Sequence, residues 1–339
     1  MATPAVVRRS LRRAGRRTNL AILLLLVGAL LSGPLLFAAA APVPATLARV
    51  GHGLAGVGLV VLVPWKTVVI LRARRMRAAS LALLVLVLVC LGSGFVQVFG
   101  GYGRILGVSP IQVHVGSALL GMVLAAVHVV RHRPIAVRRS DLSRRRLLTT
   151  GSFALVGGTT YLATELVGQL SGSAAGTRAW TGSHRLAAAE IPATTWLLDR
   201  VPELDTSHRV QLPSSSAGVA DLDVRGTAVT ARLDCTSGWY ADATWTGVPL
   251  SAVLDADALG RAASIEVRSV TGYRRRFPVA DAERLWLATR LEGVPLTAGQ
   301  GAPVRLMVPG RRGFWWVKWV ASVELSDRPW PLQSPFPLQ

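Results

Sequence analysis

Asp234-Cys235-Thr236-Ser237-Gly238-Trp239-Tyr240 is the stretch on which the reading turns, with Trp245-Thr246-Gly247-Val248-Pro249-Leu250 close behind it. Cys235 is one of two cysteines in the 339 residues. The other, Cys90, lies inside a distant apolar run, so no disulfide framework is indicated. Without context a lone cysteine reads as a small buried hydrophobe. The chain around it shows short apolar stretches punctuated by Gly, Pro and Asp, such as Ala228–Leu233, Ser264–Ser269 and Val304–Val308. These predict a mainly β (α+β) domain over 184–339, with short helices near Leu250–Leu259 and Ala280–Leu291. It holds no glycine-rich phosphate loop, no zinc-type Cys/His spacing and no serine hydrolase elbow. His184 and His208 are isolated and read as surface or capping residues.

A second block follows about 65 residues later: Gly301-Ala302-Pro303-Val304-Arg305-Leu306-Met307-Val308-Pro309-Gly310-Arg311-Arg312-Gly313-Phe314-Trp315-Trp316-Val317-Lys318-Trp319-Val320. The two blocks in this order, with Ser269-Val270-Thr271-Gly272-Tyr273 between them, resemble the molybdopterin-binding domain of the sulfite oxidase family, which includes the periplasmic methionine sulfoxide reductases. The match covers roughly residues 230–330. The resemblance implies an oxidoreductase in which Cys235 is the catalytic cysteine and binds molybdenum, a role that suits a soft thiolate. It assigns the anionic pterin phosphate to Arg305 and Lys318, with backbone groups of Trp316 and Val317, and further pterin contacts to Ser269 and Gln300. Arg311 and Arg312 read as a solvated turn, and Trp239, Tyr240 and Trp315 either as the lining of a substrate mouth or, the commoner case in a small β domain, as core aromatics. Two departures stand out. Where relatives carry an Asn-containing turn before a proline, this chain has Ala188-Ala189-Glu190-Ile191-Pro192. The stretch between Trp196 and Cys235 is also shorter.

Outward from this domain the composition changes. Hydrophobic residues make up 51% of the chain and the mean hydropathy is +0.42, more apolar than a soluble domain. The net charge of +20 is concentrated before residue 170, where 20 Lys and Arg face two acids. From 170 onward there are 18 and 16. A nucleic-acid partner is therefore not expected, since its excess charge belongs on the folded soluble part. Five apolar stretches approach the roughly 20 residues needed to cross a bilayer: Leu20–Ala41, Val50–Leu71, Ala79–Gly100, Ile111–Val130 and the weaker Leu147–Gly168. They define an N-terminal all-α transmembrane bundle over residues 1–170, followed by a small polar linker over 171–183. Arginines crowd residues 1–18, 72–77 and 131–146, whereas the alternate connections hold Arg49 and Arg104 alone. The positive-inside rule makes this a multi-pass protein of the cytoplasmic membrane, with a cytoplasmic N-terminus and an extracytoplasmic C-terminal domain. Ser143-Arg144-Arg145-Arg146-Leu147-Leu148 resembles a twin-arginine export signal placed internally.

Histidines at membrane depth point to function. His52 opens the second span and His114 the fourth, both near the outer face. Two neutral imidazoles from facing helices are a usual axial pair for a b-type haem. His128 lies 14 residues after His114, but the corresponding depth on the second span holds Lys66, so an inner haem lacks a partner. The expectation is a membrane oxidoreductase exchanging an oxygen atom with a small-molecule substrate. Membrane lipid surrounds the spans, and a quinone or another electron carrier exchanges electrons through the haem. Two other readings stay open: a cofactor-free binding module on an anchor, or a molybdoenzyme whose spans are only an anchor.

Overall fold

The computed structural model describes residues 16–71, 78–132, 144–193, 200–205 and 207–336. The arginine-rich stretches 1–15, 72–77 and 133–143, the last including Ser143, lie outside them, as does Trp196. The chain divides into two compact units, Met1–Phe37 with Pro42–His184, and Ala38–Ala41 with Arg185–Gln339.

The first unit is helical: α1 (Arg16–Ala38), α2 (Pro42–Leu71), α3 (Ala78–Phe99), α4 (Pro110–His132) and α5 (Arg144–Leu170). Among the described residues four helices are long and apolar enough to cross a membrane, at Leu20–Ala38, Pro42–Pro64, Ala78–Phe99 and Pro110–Val130. Each shows apolar side chains all round, as a lipid-facing helix should; Leu24, Leu31, Leu35, Leu120 and Val123 all point outward. The expected fifth span forms α5, whose Gly- and Thr-rich sequence lowers its hydropathy below the other four. Residues 171–183, expected to be a linker, pack within this unit. Ala174–Thr177 forms a 3-10 turn, and Arg178 pairs with Glu165 at 3.1 Å. Arg49 reaches the other oxygen of Glu165 at 3.0 Å. His184 is buried against the carbonyl of Gln97, not at the surface, because its ring hydrogen bond replaces water.

The second unit is built on two sheets. One contains β3 (Thr227–Cys235), β4 (Trp239–Pro249), β7 (Trp286–Leu291), β8 (Val294–Pro295) and β9 (Arg305–Met307). In it β4 is flanked by β3 and β7, and β9 and β8 both pair with β7. The other sheet runs β2-β1-β10-β5-β6, from β1 (Arg209–Gln211), β2 (Ser216–Gly218), β5 (Ser264–Ser269), β6 (Arg274–Phe277) and β10 (Val320–Ser326). Two short helices, α6 (Val219–Arg225) and α7 (Ala256–Arg261), accompany them. Trp245, Leu285, Leu287, Leu306 and Met307 are fully buried in the core. The helix expected over Ala280–Leu291 is instead a 3-10 turn at Val279–Asp281 followed by strand β7. β7 lies between β4 and β9 and carries apolar residues on both faces, so it shows no clean two-residue alternation to reveal it. The Leu250–Leu259 helix is broken into a 3-10 turn and α7, which Asp255 caps by accepting from the Ala258 N–H at 2.8 Å.

Candidate functional site

The β3–β4 hairpin determines where Cys235 sits. Nine residue pairs run from Thr227 opposite Gly247 to Cys235 opposite Trp239, so the cysteine closes the ladder at its tip. The Gly238 N–H returns to the Cys235 carbonyl at 3.2 Å, and Gly238 takes φ +95°, which favours glycine. Cys235 Sγ lies 3.2 Å from the Ser237 hydroxyl. On the other side the 3-10 turn Gly313–Trp315 lies against the cysteine backbone. A Cβ on Gly313 would stand 3.0 Å from Cys235 Cα, so a side chain there would push the two segments apart.

Asp234 and Arg312 hold that contact. They form a buried ion pair, and their backbones make an isolated bridge. Arg312, read from sequence as part of a solvated turn, is only 4% exposed. Its carboxylate partner stands 78 residues away in sequence, out of reach of any local pattern. Arg311 also departs from that reading: it pairs with Asp281 at 2.8 Å and stacks over Trp315 at 4.6 Å.

Two cations approach the cysteine. Arg305 begins β9, is 2% exposed, and lies over the rings of Trp245 at 5.2 Å and Trp316 at 5.5 Å. Its Nη1 donates to the Gln300 carbonyl at 2.8 Å, while Nε has no hydrogen-bond partner among the described residues. Burial pushes the guanidinium pKa down to about 10, against the pull of the Cys235 sulfur. Lys318 Nζ donates to the Gly299 carbonyl. Burial first, and then the charge of Arg305, push the ammonium down to about 7, again opposed by the Cys235 sulfur. Two desolvated cations beside one sulfur are costly unless an anion joins them.

Gly301 permits their approach: at φ +109° it leaves no room for a Cβ, which would meet Arg305 Cβ and Lys318 Cβ at 3.1 Å. Trp319 grips the same turn through Nε1 to the Ala298 carbonyl at 2.8 Å, and itself adopts φ +52°, which L residues rarely take. Trp316 and Val317 lie buried between these groups, and the Val317 carbonyl accepts from the Leu306 N–H at 2.7 Å. Ser269 joins the neighbourhood through the sheet, opposite Val320, with the adjacent Val270 N–H donating to the Trp319 carbonyl at 3.0 Å. Its hydroxyl is turned to Thr271, 3.1 Å from Oγ1. Gln300 contributes its backbone to Arg305, while its side-chain amide oxygen caps its own turn through the Thr297 N–H at 2.9 Å. Sequence reasoning missed Ser237, Asp234, Gly301, Gly313 and Trp319. Gly313, flanked by Arg312 and Phe314, was the available signal. His208, read as a surface residue, donates from its ring to the Val320 carbonyl at 2.8 Å and is half-buried.

The helical unit brings His52 and His114 together, with ring centroids 5.7 Å apart and planes crossed at 76°. His52 Nδ1 lies 3.1 Å from the Ala29 carbonyl and 3.1 Å from the Ser32 hydroxyl. His114 Nδ1 lies 2.8 Å from the Cys90 carbonyl. A ring that donates Nδ1–H to a carbonyl carries its lone pair on Nε2, the tautomer a metal-ligating histidine uses. Small residues stand beside both rings. A Cβ on Gly94 would come within 2.9 Å of His114 Nδ1, and one on Gly33 within 3.5 Å of His52 Cε1.

Residues 201–333 match the oxidoreductase molybdopterin binding domain family. Over those residues the C-terminal unit is thus similar to a molybdopterin-binding oxidoreductase domain. A protein-methionine-sulfoxide reductase catalytic subunit MsrP from Xanthomonas campestris pv. campestris is 33% identical over 115 residues, covering 29% of this chain and 36% of the relative. The MsrP of Xanthomonas axonopodis pv. citri is 32% identical over the same length and the same shares. The chain therefore spans little more than a third of the curated relatives it matches. The sulfane dehydrogenase SoxCD from Paracoccus pantotrophus aligns over 38% of this chain and 40% of its own, at 23% identity and a TM-score of 0.34, a likeness too slight to argue from. The residues fit the group this family implies. A half-buried thiol can ligate the metal, and the buried Arg305 has an unpartnered Nε to offer a phosphate.

Proposed function

We propose that the chain is a membrane-bound molybdenum-cofactor oxidoreductase that exchanges an oxygen atom with a small substrate outside the cytoplasmic membrane. In this reading Cys235, as its thiolate, grips the metal. Arg305 and Lys318 hold the pterin phosphate, supported by the backbones of Trp316 and Val317, with Ser269 and Gln300 at the pterin edge. The bound molybdenum–pterin group supplies the two-electron oxygen-atom exchange. Tryptophan rings over Arg305 keep water from its charge and strengthen its attraction for an anion. The helical unit then serves as electron conduit, with a b-type haem on His52 and His114 passing electrons to or from a quinone or another carrier. Five spans, a cytoplasmic N-terminus and export through the twin-arginine-like run complete the arrangement.

The observation that carries the reading is two cations, the buried Arg305 and the half-buried Lys318, packed together on the Gly301 turn within electrostatic reach of the Cys235 sulfur. Elemental analysis of protein purified from cells that make the pterin tests it. Wild type is expected to hold close to one molybdenum per chain. Cys235→Ser is expected to lose activity and change the metal's spectroscopic signal while the domain stays folded. An unchanged molybdenum signal in that variant refutes the role of Cys235. The runner-up, a cofactor-free binding module, draws support from the Ala188–Pro192 segment, which lacks the asparagine of relatives. Just beyond it Ala193 packs onto Gly299, where a Cβ would lie only 2.4 Å away. Wild type devoid of molybdenum is the result that favours it.

A further inference from the structure

The Cys235 turn carries a hydroxyl that none of the roles above uses. Ser237 Oγ lies 3.2 Å from Cys235 Sγ, two residues along the tight turn that Gly238 closes. The turn brings the two side chains within reach of one another. Cys235 and Trp239 are the last pair of the β3–β4 ladder, so the two residues between Cys235 and Gly238 have little freedom to move. In the free thiol either atom can donate. Once the sulfur is a metal-bound thiolate it has no proton, and only the Ser237 O–H can donate.

Hydrogen bonds to a ligating thiolate withdraw electron density from the sulfur and tune the potential of the metal it holds. We propose that Ser237 is a positioning residue that raises the reduction potential of the molybdenum centre by donating a hydrogen bond to Cys235 Sγ. The inference rests on the cysteine-ligated cofactor reading given above. Its direction follows from charge. A thiolate that gives up density to a hydrogen bond donates less to the metal, and the oxidised, electron-poor state loses more stabilisation than the reduced one.

The test compares wild type, Ser237→Ala and Ser237→Thr as full-length purified protein. Molybdenum content, the potential of the metal by redox titration followed by paramagnetic resonance, and the sulfur-to-metal charge-transfer absorption are read in each. Ser237→Ala is expected to retain molybdenum, titrate at a lower potential and absorb at longer wavelength, whereas Ser237→Thr stays close to wild type. A purely structural residue would alter metal content or folding without moving the band. A metal-loaded Ser237→Ala with an unchanged potential and band overturns the proposal. If Ser237→Ala fails to load, wild type alone decides. Transfer from water to deuterium oxide should then shift the molybdenum–sulfur stretching frequency, and no shift overturns the proposal. Wild type without molybdenum instead overturns the cofactor reading, a distinct failure visible in the metal analysis.

Discussion

At the residue scale the site depends on a few side chains that local sequence could not assign. Cys235 was legible because cysteine is rare in this chain and its flanking residues are distinctive. Arg305 and Lys318 were legible because the second block carried them in order. Arg312 was not: arginine beside glycine reads as solvated, and only the fold brings Asp234 to it. The pair makes a sharp prediction. Arg312→Leu leaves Asp234 buried without its cation and should destabilise the domain by roughly 3–5 kcal/mol. The double change Asp234→Leu with Arg312→Leu should recover most of that loss, since neither charge is left stranded. Thermal unfolding of wild type and the two variants in the same detergent checks this, and equal stabilities for the single and double variants would sink it. The same experiment separates folding from chemistry. The single variant should also loosen the Gly313 contact on Cys235 and lower cofactor content, while removing the exposed Arg209–Asp221 pair should leave metal content untouched.

At the element scale, alternating strands such as β3 and β5 were readable from sequence, whereas β7 was not. Its Trp-Leu-Ala-Thr-Arg-Leu run puts apolar residues on both faces, Trp286 and Ala288 on one and Leu287 and Leu291 on the other, so the two-residue period that marks a strand is lost. β7 also carries Thr289 and Arg290, which tie it to α6 through Asp223. Arg290 Nη2 meets Asp223 Oδ2 at 2.7 Å, and Thr289 donates to Oδ1. Partial burial pushes the Asp223 carboxyl up, but the hydrogen bonds from Arg290 and Thr289 outweigh it and hold it below the usual carboxylate range. A carboxylate depressed on folding stabilises the native state above its unfolded pKa near 3.9, and that stability fades as pH falls through the folded value. Asp223→Asn should therefore cost on the order of 1 kcal/mol at pH 6, with the difference from wild type shrinking below about pH 4. A gap independent of pH excludes the assignment. Among the helices, spacing alone anticipated that His52 and His114 would meet, because both open spans that run in the same direction. Their Nδ1 partners on Ala29 and Cys90 belong to neighbouring helices and left no trace in the sequence. Purified membranes are expected to show a b-type absorption band that either His52→Ala or His114→Ala abolishes. Wild type with no haem absorbance ends the electron-conduit role.

At the scale of the whole molecule, four helices are long and apolar enough to cross a membrane, and the proposed orientation rests on where the arginines fall in the sequence. The short connection between α3 and α4 offers a direct test of that orientation. Ile105 and Val108 exchange backbone hydrogen bonds at 2.9 and 3.0 Å, and Arg104 donates twice to the Gly107 carbonyl, so the loop is a defined turn. Leu106 stands at its tip, 99% exposed, with φ +52°. Positive-inside reasoning places this turn on the outer side, with the domain that follows α5. In a background with Cys90 and Cys235 replaced, Leu106→Cys should react with a membrane-impermeant maleimide in intact cells or spheroplasts. A cysteine introduced at Arg74 should react only after the membrane is opened. Because α3 and α4 join at this turn, labelling there fixes the direction of both helices, and with it the depth of His114. It also fixes the side on which an odd number of further spans would release the C-terminal domain. The reverse pattern would put Cys235 in the cytoplasm, remove any need for an export signal at Ser143–Leu148, and refute the extracytoplasmic assignment outright.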